Sequence, residues 1–144
     1  MSPSAFDPVV VEVRLPASPE QVFPHLTEAD KLSRWLAGDV IAEAIAAGPF
    51  SCQWGPETIV RGRFVELAAP TRLVISWGRA GDPEVPPESS RVEIGLTQDE
   101  PGNTALRLVH RDLPLEYRQE HLDFWAHHLT RLSEALSDGT PGSD

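Results

Sequence analysis

The sequence predicts an α+β domain: a curved antiparallel β-sheet of about six to seven strands wrapped around one long C-terminal helix, with two short helices after the first strand. Three observations predict it. Residues 115–136, LEYRQEHLDFWAHHLTRLSEAL, place Leu122, Trp125, Leu129, Leu132 and Leu136 at alternating steps of three and four, the repeat of one helix face. Between residues 41 and 112 the texture changes to short alternating segments broken by Gly and Pro, the pattern of strands and turns. A sheet with one polar face must bury the other. At about 1.5 Å per residue the terminal helix would be about 30 Å long, the only element able to cover it.

Each element has its own signal. Residues 9–15 alternate, with Val9, Val11, Val13 and Leu15 on one face and Glu12 and Arg14 on the other. A helix start follows: Ser18 as N-cap, Pro19 at the first helical position and Gln21 closing a capping box. Pro24 lies inside that helix and should kink or shorten it. Thr27 with Asp30 reads as a second cap, and Leu32, Trp35 and Leu36 share a face. Strands are expected at 50–54, 59–67, 73–77, 91–97 and 105–111, with Gly62 marking a bulge or a close backbone contact. Residues 78–90, GRAGDPEVPPESS, form an irregular loop. Its acidic run 82–88 reads as solvated, with a lid over a pocket as the functional alternative. Asp138-Gly139 and Pro141 end the long helix.

Composition narrows the function. At 144 residues the chain fits a single domain, from about residue 9 to 136, with loose ends at 1–8 and 137–144. Net charge is −10, from 22 acidic against 12 basic residues, which argues against nucleic acid or an anionic membrane as partner. The single cysteine, Cys52, excludes an internal disulfide and a paired-thiol site. There is no apolar run of membrane-spanning length and no signal-peptide pattern, so a cytoplasmic location is expected. No GxSxG, HExxH, P-loop or dinucleotide-binding glycine motif is present.

Five stretches then carry a resemblance: SPEQVFPHLT followed by LSRWL; GPF before a strand; RGRFVELAAPTRLVISW; GNTALRLVHRDL; and HLDFWAHHLTRL. In this order, over most of residues 9–136, they resemble the activator of heat-shock protein 90 ATPase homologue family, within the START-like (SRPBCC, helix-grip) superfamily. Two positions depart from the pattern. Ala47-Gly48 stands where a double glycine is usual, and Arg34-Trp35-Leu36 carries one tryptophan where two are often found. The resemblance implies a helix-grip fold and one of three roles: small-ligand or lipid binding, stimulation of a chaperone ATPase, or aromatic-polyketide cyclisation. It carries over no catalytic residue and implies no cofactor. The eukaryotic co-chaperones have a further N-terminal domain for which this chain has no room, which weighs against a full co-chaperone role.

A curved sheet over a helix often encloses a cavity, so the expected ligand is a small hydrophobic molecule between the two. A chaperone or other protein, and a second copy of the chain, are further possible partners. Candidate cavity residues are the inward aromatics Trp35, Phe50, Trp54, Phe64, Trp77, Phe124 and Trp125, with Cys52, Ile75, Tyr117, His110, His121 and His128. The plain alternative for the aromatics is core packing, and for Cys52 a small hydrophobe. His121 and His128 are two helical turns apart, about 10 Å along the axis, too far to share a metal whose His ligands sit about 2 Å away. No metal is therefore expected. Each histidine reads either as a satisfied, half-buried ring or as a polar handle in an apolar pocket. A general base is a third option, which needs a polar partner in reach. Leu122, Leu129, Leu132 and Leu136 are expected to anchor the helix, and Arg61 and Arg63 to decorate the solvent face.

Overall fold

The computed structural model describes residues 8–138. Seven strands form one antiparallel sheet: β1 Val9–Leu15, β2 Asp39–Ala42, β3 Pro49–Trp54, β4 Thr58–Ala68, β5 Arg72–Trp77, β6 Ser90–Glu100 and β7 Asn103–Arg111. Their spatial order is β1-β7-β6-β5-β4-β3-β2, so consecutive strands pair as hairpins from β2 to β7. β1 closes onto β7, with Val9 opposite His110 and Leu15 opposite Thr104. The helix-grip architecture expected from the sequence is present.

Alternation explains the strands. In β6, Ser90, Val92, Ile94 and Leu96 are buried on one face while Arg91 is exposed. Opposite them on β7, Leu106, Leu108 and His110 face the same core. Gly62 sits where β4 crosses β5 so closely that a Cβ there would lie 1.6 Å from the Ser76 carbonyl oxygen. The β4–β5 register shifts just beyond, between Phe64 and Glu66. Of the two alternatives at Gly62, the close backbone contact is the one present; the irregularity lies further along β4.

Between β1 and β2 the chain makes three single-turn helices rather than two: α1 Pro19–Val22, α2 Pro24–Thr27 and α3 Ala29–Leu32. The Ser18–Gln21 capping box forms as expected, with Gln21 N donating to Ser18 Oγ and Ser18 N to Gln21 Oε1. Pro24 separates α1 from α2, since it cannot donate into the preceding turn. The second cap is corrected. Glu28 occupies the N-cap of α3 without a side-chain bond, and the buried Thr27 hydroxyl instead donates back to the Phe23 carbonyl.

The terminal helix α4 runs Arg118–Asp138, preceded by a 3-10 turn at Leu115–Tyr117. Trp125, Leu129 and Leu132 are buried in the core with the inward strand residues, and Leu136 packs at its margin. Leu122 does not anchor: it is 36% exposed, whereas His121 is 2% exposed. Leu129, two turns on, shares the angular position of Leu122 and is buried, so angle alone does not expose Leu122; it lies beside Pro8, Val9 and Val10 in a surface groove at the edge strand β1. The readings at 1–7 and 139–144, including the Gly139 and Pro141 stop, lie outside the described residues. No helix among the described residues is long and apolar enough to cross a membrane.

A candidate ligand-binding cleft

The seam between α4 and the β3–β5 half of the sheet is not fully closed. A cleft of about 270 Å³ opens there, lined by Trp54, Thr58, Val60, Trp77, Arg79, Glu120, His121, Phe124 and His128. Each wall follows from local structure. Trp54 ends β3 and Trp77 ends β5, so both indoles stand at one rim of the sheet. His121, Phe124 and His128 succeed one another at three- and four-residue steps on α4 and meet that rim. Phe124 stacks on His128 with ring centres 4.1 Å apart and meets Trp54 edge-on at 5.5 Å. Trp54 is fixed by its Nε1, which donates to the Leu36 carbonyl at 2.8 Å. Trp77 Nε1 is buried and has no acceptor within reach among the described residues.

The mouth is polar. Arg79 Nη2 pairs with Glu120 Oε1 at 2.9 Å. Tyr117, on the 3-10 turn, donates its hydroxyl to Asp82 Oδ2 at 3.3 Å, tying the β5–β6 loop to the start of the helix. That loop is less solvated than its composition suggests, because Val85 is fully buried and its carbonyl accepts from Arg79 N at 2.7 Å. Asp82 and Glu88 do stay at the surface, Glu88 pairing with Arg63.

The two cleft histidines share one arrangement. His121 Nδ1 lies 2.9 Å from the Tyr117 carbonyl and His128 Nδ1 lies 2.8 Å from the Phe124 carbonyl. A carbonyl only accepts, so Nδ1 carries the proton in both and Nε2 is left as an acceptor in the neutral ring. Burial is the main cause pushing both rings below the ordinary histidine range. For His121 the helix bond to Tyr117 opposes this and nearby Arg79 reinforces it; for His128 the bond to Phe124 opposes it and His127 and Arg131 reinforce it.

His110 is different. It is fully buried beneath the cleft, and Trp125 Nε1 donates to its Nδ1 at 3.0 Å. Indole N–H can only donate, so the His110 proton sits on Nε2, 2.8 Å from Ser90 Oγ, which in turn donates to the Trp77 carbonyl at 2.7 Å. The chain Trp125–His110–Ser90–Trp77 is complete. It also faces the wrong way for a serine nucleophile, since His110 donates to Ser90 rather than accepting from it. Burial, then His121, holds the His110 ring well below its ordinary range.

Of the candidate residues, the structure brings Trp54, Trp77, His121, Phe124 and His128 together at the cleft, with Tyr117 at its edge. Phe50, Cys52, Phe64 and Ile75 lie in the packed core below, where Phe50 meets Phe64 edge-on at 5.8 Å. Trp35 is buried in the helical corner, donating to the His25 carbonyl at 2.8 Å. Burial pushes the Cys52 thiol up to about 12, which leaves it without thiolate. Among the described residues no group of three His, Cys, Asp or Glu could hold a metal ion. Sequence reading missed Arg79, Glu120 and Ser90. Ser90 shares the inward phase of Val92 and Ile94, so two inward polar residues on paired strands, Ser90 and His110, were the available signal.

Comparison with known proteins bears on the family and the fold. The family described as activator of Hsp90 ATPase homolog 1-like protein matches residues 16–137. The chain belongs to that family. No curated protein sequence matches it. DynU16, from the dynemicin biosynthetic locus, superposes with a TM-score of 0.81 at 20% identity over 96% of this chain. This chain spans about half, 49%, of DynU16. The Aha1 dimer from Colwellia psychrerythraea matches with a TM-score of 0.77 at 21% identity, over 92% of this chain and 98% of that one. An HSP90 activator from Plasmodium falciparum, PFC0360w, matches with a TM-score of 0.69 at 20% identity, over 90% and 96%. At these identities the family's structures establish the fold and no more.

Proposed function

We propose that this protein binds a small, mostly apolar molecule in the cleft between the sheet and α4. The observation that carries the reading is the lining itself. Two indoles, a phenyl ring and Val60 surround about 270 Å³, with polar groups supplied by Thr58, two neutral histidines and a rim of Arg79 and Glu120. Apolar clefts with a few convergent polar groups are the usual form of a small-ligand site. Burying apolar ligand surface there gains roughly 25 cal/mol per Å² before association costs.

The test is direct binding. A thermal-shift screen of small aromatic and lipid-like molecules, followed by native mass spectrometry of hits, should return one-to-one complexes. Hits should also change tryptophan emission, because Trp54 and Trp77 line the site. A library that yields neither shifts nor complexes refutes the reading.

A second reading is favoured by the family description and by the Plasmodium falciparum neighbour named as an HSP90 activator: a protein-interaction module that stimulates a chaperone ATPase. It predicts faster ATP hydrolysis when the protein is added to its host's chaperone, and fails if neither stimulation nor pull-down is seen. A cyclase-like activity would have to use His121 or His128, because His110 and Ser90 are engaged in the core.

A further inference from the structure

Resting on that cleft being a binding site, we propose that its ligand is a flat aromatic molecule of one or two rings bearing a hydroxyl, which donates a hydrogen bond to Nε2 of His121 or His128.

The argument begins with the histidines. Each ring commits its Nδ1–H to the carbonyl one turn earlier on its own helix, Tyr117 for His121 and Phe124 for His128. That choice fixes the tautomer and turns the remaining nitrogen into an acceptor. No described residue donates to either Nε2, although both rings line the cleft. A partner is thus owed by whatever enters, and it must be a donor. An ether or ketone would set lone pair against lone pair. A carboxylate would add repulsion, and the nearest cation, Arg79, is already paired with Glu120. A hydroxyl meets the requirement and keeps the molecule neutral.

Shape sets the rest. The walls are flat rings, Trp54, Trp77 and Phe124, which offer both faces and edges to a planar guest. A buried apolar cavity of about 150 Å³ holds one benzene ring. At about 270 Å³, partly open, the cleft suits one or two fused rings rather than a long acyl chain.

The charged and titratable groups around the two acceptors are Arg79, Glu120 and His110 near His121, and His127 and Arg131 near His128. Protonation would convert Nε2 from acceptor to donor. Burial holds both rings below the ordinary histidine range, so Nε2 is an acceptor at pH 7.5.

The experiment uses the full chain and three probes that share one ring system: naphthalene, 2-methoxynaphthalene and 2-naphthol. Affinities are read by tryptophan fluorescence and calorimetry at pH 7.5. At pH 7.5, 2-naphthol should bind roughly three- to tenfold more tightly than the other two, the worth of one net hydrogen bond. Either H121F or H128F, which retain a flat ring, should abolish the preference within that variant. If naphthalene binds but 2-naphthol shows no advantage, or if both variants keep the advantage, the hydroxyl assignment is overturned and the cleft reading stands. If none of the three binds, the cleft reading itself falls. The wild-type series decides the matter even if a variant does not fold.

Discussion

Ser90→Ala tests the buried chain that supports the cleft from below. Ser90 is fully buried, accepts from His110 Nε2 and donates to the Trp77 carbonyl. Removing one oxygen leaves the His110 N–H orphaned at a site with 0% exposure and takes a donor from the Trp77 carbonyl. An unsatisfied buried polar group costs about 1–3 kcal/mol. With two groups affected, and the carbonyl only partly deprived, the expected loss is about 2–4 kcal/mol. For a domain of this size about 3–4 °C of Tm accompanies each kcal/mol, so the melting midpoint should fall by about 6–15 °C. Chemical denaturation at pH 7.5, with the m-value compared between variants, separates lost stability from a changed unfolded state. Ser76→Ala is the control, because its hydroxyl accepts a single bond, from Arg63 N at 2.9 Å, and should cost about 1 kcal/mol. A loss below about 1 kcal/mol for Ser90→Ala would refute the hydrogen bonds assigned to the Ser90 hydroxyl.

Three further outcomes are expected. Gly62→Ala should destabilise by more than about 3 kcal/mol or prevent soluble expression, since its Cβ would collide with the backbone of Ser76; a variant melting within a few degrees of wild type would contradict the packing. On α4, Leu129→Ala should cost about 2.7–5 kcal/mol while Leu122→Ala should cost less than about 1, as urea titrations of the pair would report. Stability should also fall with acidification. His25, His110, His121 and His128 are all held below the ordinary range, chiefly by burial. Below about pH 6.5 the unfolded chain therefore binds protons that the folded chain refuses. The melting midpoint should drop between pH 7.5 and 5, progressively until the folded rings themselves titrate, and a midpoint that rises over that interval would disprove the assigned environments.

Periodicity made much of this molecule legible. Strands with a polar outer face, such as 91–97 and 105–111, announce themselves because alternate residues meet different solvents. The long helix was equally plain, but its orientation was not. A hydrophobicity pattern places Leu122 on the buried stripe and His121 beside it; the structure buries His121 against His110 and leaves Leu122 in a surface groove beside the edge strand β1. The thirteen cavity candidates were all inward-facing or nearly so, yet only a subset meets the opening. Inward direction is a local property read from phase, whereas the line between filled core and open cleft depends on how far α4 stands from β3 and β5. Phe50 and Trp54 share a phase on one strand, and one is core while the other is wall. Arg79 and Glu120 were invisible as a pair because their meeting depends on where a proline-rich loop folds back.

The pairing of β1 with β7 has a consequence for how the chain is made. Val9 stands opposite His110, so the first strand waits about a hundred residues for its only neighbour in the sheet. Closing a loop of that length is slow compared with the hairpins between, and it cannot occur on the ribosome until β7 has emerged. Until then Val9–Leu15 is a seven-residue β-prone segment with both edges open, the kind of stretch that pairs with another chain. Its outward-facing charges, Glu12 and Arg14, which later pair with Arg107 and Asp99, are the features that keep the nascent strand from doing so. The two side chains whose ion pairs add little to the finished fold thus act as bare charges before their partners on β6 and β7 are made.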